Sequence, residues 1–177
     1  MAVTQITASM LAPLRGDKRW AYIERQKTIR VVTIDEDGSP YLSPLWFVVD
    51  EQRIFLPLDA GGRHAKNAEA GRPFSALVDT GDEFTTVAGV RMLGTLKATD
   101  DPTLIERLSE KVFDKYFHVG HPFAEGYMEF GNFAGRRWLE IIVDKMIGWD
   151  QRETSTSASY EARVLPSHIG DRLLPGS

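Results

Sequence analysis

Between Thr28 and Leu58 the chain carries three β-prone runs separated by turns too short for anything but hairpins. TIRVVTI (Thr28–Ile34) is short and β-branched, which favours a strand. Asp35-Glu36-Asp37-Gly38 supplies residues that tolerate positive φ. Tyr41 to Asp50 reads as a second, longer strand, Asp50-Glu51-Gln52 as another tight turn, and Arg53 to Leu58 (RIFLPL) as a third strand. Parallel neighbours would need a crossover of about a dozen residues, so this stretch is an antiparallel meander. A chain that opens this way is mostly β.

The remaining elements fit around that meander. Asp17 to Gln26 places Trp20 and Ile23 on one side of a short helix. Arg63 to Ala70 is rich in helix formers, with Gly71 at a C′ position and Pro73 blocking continuation. Phe74 to Asp79 predicts a fourth strand and Thr86 to Thr99 a fifth, whose Gly89 and Gly94 mark bulges or close backbone approach. Asp101-Pro102 is an N-cap followed by Pro at N1, and Leu104, Leu108 and Val112 then form one helix face, flanked by Ile105 and Tyr116. A Gly- and aromatic-rich crossing, His118 to Gly135, leads to a sixth strand in which Arg137 to Ile147 alternates. Six strands in one small domain favour a closed or partly closed barrel, which removes exposed edges. The helices before strands four and six would cap its ends. The expected class is therefore mostly β (α+β), with residues 1–152 as the barrel domain. Residues 153–177, polar and β-poor in ETSTSAS, would be a tail or arm.

Composition narrows the chemistry. The 177 residues suit about one domain. With no cysteine, thiolate nucleophiles, zinc ribbons and cysteine-held clusters are excluded. A formal charge of −4 argues against general nucleic-acid binding, which needs a basic face. No apolar run approaches the roughly 20 residues that span a bilayer. The N-terminus does not read as a signal peptide, so cytoplasmic residence is the expectation.

Two features point to a ligand. Pro44, within Ser43-Pro44-Leu45-Trp46, lacks the N–H that a central strand needs, so pairing should break there. Leu45 and Trp46 would then offer backbone groups to a flat heterocycle. An ordinary edge-strand proline is the plainer alternative. The second feature is Gly61-Gly62-Arg63-His64-Ala65-Lys66-Asn67, where basic residues crowd a first helical turn that usually prefers acids. Such a turn suits a phosphate, and a solvated basic helix is the alternative. Neither GxxxxGK[ST] nor GxGxxG is present. His118, His121 and Glu125 are a poor metal set, because Gly120 and Pro122 interrupt the helix that would align them, and no metal is expected. Without a GxSxG elbow a hydrolase is not indicated.

In order and spacing, these segments resemble the pyridoxamine 5′-phosphate oxidase-like, FMN-binding split-barrel superfamily, nearest its flavin- and deazaflavin-dependent oxidoreductase branch. The residues that carry the resemblance are DGSPYLSPLWFVVDEQRIFLPL, GGRHAKNAEAGRPFSALVD, GDEFTTVAGVRMLGTLKATDDPTLIERL and RRWLEIIVDKMIGWDQRE, spanning roughly residues 17 to 152. The resemblance implies a six-stranded split barrel, a homodimer with cofactor grooves between protomers, and FMN or coenzyme F420 as cofactor. Ser43, Pro44, Leu45 and Trp46 would then lie along the ring system and Leu58 near the ribityl chain or phosphate. Arg63, His64, Lys66 and Asn67 would hold the phosphate. Trp149 would stand near the site, towards the neighbouring protomer. Where relatives often carry Ser and Lys in the phosphate turn, this chain has Gly62 and His64. The implied activity is hydride transfer to or from a small conjugated substrate. That chemistry belongs to the cofactor, and no catalytic residue is named. The alternative on the same fold is a non-catalytic protein that binds a flavin, or haem through His64, His118 or His121.

Overall fold

The computed structural model describes residues 12–83, 86–117, 120–131 and 135–152, with the side chains of 128–131 set aside. His118 and the expected tail at 153–177 lie outside the described residues. In chain order the elements are α1 (Gly16–Arg25), β1 (Ile29–Ile34), β2 (Pro40–Leu45), β3 (Val48–Asp50), β4 (Arg53–Asp59), α2 (Arg63–Glu69), β5 (Phe74–Thr80), β6 (Ala88–Thr99), α3 (Pro102–Tyr116), α4 (Ala124–Gly131) and β7 (Arg136–Asp150). No helix among the described residues is long and apolar enough to cross a membrane.

The strands form one antiparallel sheet in the order β2-β1-β5-β6-β7-β4-β3. Its two outermost strands, β2 and β3, are separated in sequence only by Trp46 and Phe47. Leu45 and Val48 are three residue spacings apart, at most about 11 Å, so the sheet curls to bring its two edges near each other, as in a split barrel. The interior is a single apolar core that includes Ile29, Val31, Leu56, Val78, Val90 and Met92, closed by Tyr22 and Ile23 of α1.

The expected second strand is two strands, so the sheet has seven strands rather than six. Pairing does not break at Pro44, which keeps register with Arg30, while Leu45 pairs with Ile29. Because β2 is an edge strand, proline is tolerated there. The break comes two residues later. There the Phe47 N–H donates to the Tyr116 hydroxyl at 2.9 Å, and that hydroxyl donates to the Phe47 carbonyl at 2.8 Å. A side chain thus replaces the ladder.

Turn and cap chemistry otherwise follows the local sequence. Asp101 Oδ1 accepts from the Thr103 and Leu104 N–H groups, capping α3. Gly71 ends α2 at φ 65°. A register shift at Leu93/Gly94 makes a bulge in β6. The β3–β4 hairpin turns through Glu51 and Gln52, both at positive φ (48° and 60°) without a glycine. The helix expected from Asp101-Pro102 onward, α3, does not cap a barrel end. Leu104, Leu108 and Val112 of α3 pack on the outside, against Val48, Phe55 and Trp138. Alternation in β4 decides this, since Phe55 points outward while Ile54 and Leu56 point inward. Buried Asp50 ties α3 down by accepting hydrogen bonds from Arg107 Nε, at 3.2 Å to each oxygen, and from Arg107 Nη2 at 2.6 Å.

Candidate functional site

The β4–α2 turn brings the basic residues to one end of β2. The Gly62 N–H donates to the Asp59 carbonyl at 2.9 Å, starting a tight turn into α2. Arg63 and Lys66 are exposed. Arg63 pairs with Asp35 at 2.9 Å and lies over the Tyr41 ring, 4.7 Å from its centroid. No acid occupies the first turn of α2.

His64 and Asn67 face the other way and are buried. Asn67 Nδ2 donates to Thr33 Oγ1 at 2.9 Å and to Asp35 Oδ1 at 2.8 Å, and Asn67 Oδ1 accepts from Arg72 at 2.6 Å. Thr33 Oγ1 is 2.9 Å from His64 Nδ1. Thr33 Oγ1, which accepts from Asn67 and keeps a second lone pair, can bond Nδ1 in either imidazole tautomer, while His64 Nε2 is buried and has no hydrogen-bond partner among the described residues. Burial pushes the imidazole below its usual pKa, with Asp35 opposing the shift, so the ring is neutral near pH 7. From this position His64 orients the turn from beneath, whereas Arg63 and Lys66 face solvent.

From Tyr41 the edge strand runs away from the basic turn. Ser43 and Leu45 are half-buried, Pro44 is exposed, and Trp46 ends the run 41% exposed. Trp46 is five residue spacings from Tyr41, about 17 Å at the usual strand rise. The basic turn and Trp46 therefore stand at opposite ends of one edge strand. Leu58 is turned into the barrel core. Trp149 stands apart, on β7, with β1, β5 and β6 between it and β2. It is half-buried against Gly89, where an added Cβ would sit 2.6 Å from the indole ring. Close approach at Gly89 was expected from the sequence, and the indole explains it.

At the Trp46 end an unanticipated feature appears. Trp46 stacks on Tyr116, with centroids 4.4 Å apart and planes 10° apart, and meets Phe117 edge-on at 5.8 Å. Tyr127 lies 4.6 Å from Phe117, and His121 stands edge-on to Phe117 at 5.0 Å. With Phe123 these rings line an open cleft of about 480 Å³. Its walls are the β2–β3 crossing, the C-terminal end of α3, and α4 with the turn before it. Burial raises the Tyr127 hydroxyl above its ordinary pKa and lifts Tyr116 to about 12. Sequence reasoning singled out Trp46 and His121 as candidate ligand contacts and Tyr116 only as flanking a helix face; for Phe117, Phe123 and Tyr127 the signal available was the aromatic density from Phe113 to Tyr127. Among the described residues no cluster of acidic groups and imidazoles could hold a metal ion.

A family model described as pyridoxamine 5′-phosphate oxidase matches residues 17–150. The chain belongs to that family. Three solved structures resemble the chain in fold. A conserved hypothetical protein from Mycobacterium tuberculosis is 22% identical with a TM-score of 0.71, over 93% of this chain and 99% of that one. HutZ, the heme storage protein from Vibrio cholerae, is 14% identical with a TM-score of 0.61, over 76% and 96%. An FAD binding protein from Mycobacterium smegmatis is 13% identical with a TM-score of 0.53, over 78% and 96%. At these identities the likeness shows the fold. No curated protein matches the sequence.

Proposed function

We propose that the chain is a flavin-dependent oxidoreductase that holds FMN, or the deazaflavin F420, along β2 and acts on a small conjugated substrate. The observation that carries this reading is the edge strand itself. It joins an exposed cationic turn to an exposed tryptophan over about 17 Å. That layout suits a molecule with a phosphate at one end and a flat ring system at the other. Arg63 and Lys66 would bind the phosphate through charge-assisted hydrogen bonds. His64 and Asn67 would keep the turn in shape through Thr33 and Asp35. Ser43, Pro44, Leu45 and Trp46 would orient the ring, with Leu58 behind it in the core. When bound, the cofactor supplies hydride chemistry at its central ring. Around it the protein's task is to orient the ring and exclude water.

The reading includes a homodimer. The outer face of the sheet carries Leu42 at 60% and Ile147 at 41% exposure. Covering them with a second copy would remove apolar surface from water. It would also give Trp149 a route to the other protomer's β2 edge. Titration of the purified chain with FMN and with F420 tests the reading. Binding of one of them at micromolar affinity or better, lost in the Arg63→Glu/Lys66→Glu double variant, is the expected result. Absence of binding by both removes it.

A second reading, non-catalytic flavin or haem binding on the same barrel, draws on His121. Among the described residues this is the imidazole that lines a cleft, whereas His64 is buried. A Soret band after haem addition that disappears in His121→Ala would favour it. Turnover with reduced flavin would count against it.

A further inference from the structure

We infer that the aromatic cleft between the β2–β3 crossing, α3 and α4 is a binding site for a neutral, planar ring system of one or two fused aromatic rings. Two of the large apolar side chains most exposed to water, Trp46 at 41% and Phe123 at 72%, face this one cleft. Isolated exposed apolar residues are ordinary, but two converging with four further rings on one concavity are not. The volume of about 480 Å³ lies within the usual range for small-molecule clefts. The rings present both faces and edges, the arrangement that receives another aromatic ring by offset stacking or edge contact. The walls are also pre-set. Tyr116 is fixed by its two hydrogen bonds to Phe47, and Trp46 is stacked on it. A ligand therefore meets rings already ordered, which lowers the entropy cost of binding.

Charge decides the ligand class. Among the described residues no carboxylate, arginine or lysine lines the cleft, and the Lys27 ammonium lies 5.5 Å from the Tyr116 centroid. The Lys27 amine bonds the Lys115 carbonyl, and the Lys115 amine is buried over Phe47. An anion placed against these rings would lose its hydration without a partner, and a cation, which ring faces otherwise attract, would be opposed by the Lys27 ammonium beside Tyr116. A neutral ring suffers no such loss. The site stands without the cofactor reading, which shares only Trp46 with it.

Quinoline, at a pH where it is uncharged, is the probe. Its affinity for the full chain without cofactor is measured by calorimetry and by saturation-transfer NMR. Binding is expected to weaken about tenfold in Trp46→Ala and about threefold in Phe123→Ala. N-methylquinolinium, quinoline carboxylate and saturated cyclohexanol should all bind more weakly than quinoline. Phe123 is so exposed that its removal spares the fold, which keeps the test sound if Trp46→Ala fails to fold. Equal affinity in wild type and Phe123→Ala, or tighter binding of either charged analogue, overturns the inference. Displacement of quinoline by FMN would also overturn it, since the cleft would then belong to the cofactor. Failure of both FMN and F420 to bind removes only the oxidoreductase reading and leaves the quinoline result standing.

Discussion

Replacing Tyr116 by Phe removes one oxygen and tests how the barrel is closed. That hydroxyl is the partner of both backbone groups of Phe47, at 2.9 and 2.8 Å, where the sheet changes edge. Phe47 itself is fully buried, so water reaches these groups poorly once the oxygen is gone. An orphaned buried polar group costs about 1–3 kcal/mol. Because Tyr116 is only half-buried, the loss belongs near the lower end of that range for each group, about 2–3 kcal/mol for the pair. In urea, with a slope of about 2 kcal/mol/M, the midpoint should fall by roughly 1–1.5 M with the slope unchanged. The ring is retained, so its stacking on Trp46 is expected to survive. The hydroxyl is held protonated by burial, with its pKa lifted to about 12, so the difference between variant and wild type should be flat from neutral pH to about pH 10. Above that the unfolded tyrosine ionises first, so the native state holds more protons and wild-type stability falls towards pH 12. A variant within about 0.5 kcal/mol of wild type at equal slope would refute the assignment of this hydroxyl as the closure of the sheet.

Lys115, buried over the Phe47 ring, has its pKa pressed down to about 7 by desolvation, with Lys27 adding to the effect. The unfolded chain then binds more protons between about pH 7 and pH 10, so stability should rise with pH across that window, and the rise should vanish in Lys115→Met. Asp50 is held below the usual carboxylate range chiefly by its hydrogen bonds from Arg107, so that contribution is present near neutrality and lost as acid protonates the carboxyl. Asp50→Ala should cost about 1–2 kcal/mol in denaturant titration, allowing for the exposure of the Arg107 partner. Gln52→Gly relieves a left-handed residue in the β3–β4 turn and should stabilise the chain by about 1 kcal/mol, read as a rise in Tm. Gly89→Ala drives a methyl into the Trp149 indole, and should lower stability by about 1–3 kcal/mol and alter the near-ultraviolet dichroism of that ring.

The parts of this protein that were legible in the sequence are those governed by neighbours a few residues apart. Asp101 before Pro102 set the start of α3, the spacing of Leu104, Leu108 and Val112 set its buried face, and Gly71 closed α2. Alternation in β7 and β-branching in β1 gave the strands, and short turns gave their antiparallel order. The basic turn and Trp46 were also visible, because charge and aromaticity are properties of single residues.

What tertiary structure decided involves partners far apart in the chain. The break at Trp46–Phe47 depends on a hydroxyl 69 residues away, and no local pattern around Pro44 contains that information. His64 reads as one more cation beside Arg63, yet its place on the inner side of a seven-residue helix buries it against Thr33, from a strand 31 residues earlier. Which side of the barrel α3 covers followed from the outward direction of Phe55, which only strand register fixes. The cleft arises because α4 and the turn before it, read from the sequence as an irregular crossing, bring Tyr127 and Phe123 over rings from two other elements. Local propensity sets which pieces form, and the summed burial of their apolar faces sets how they meet.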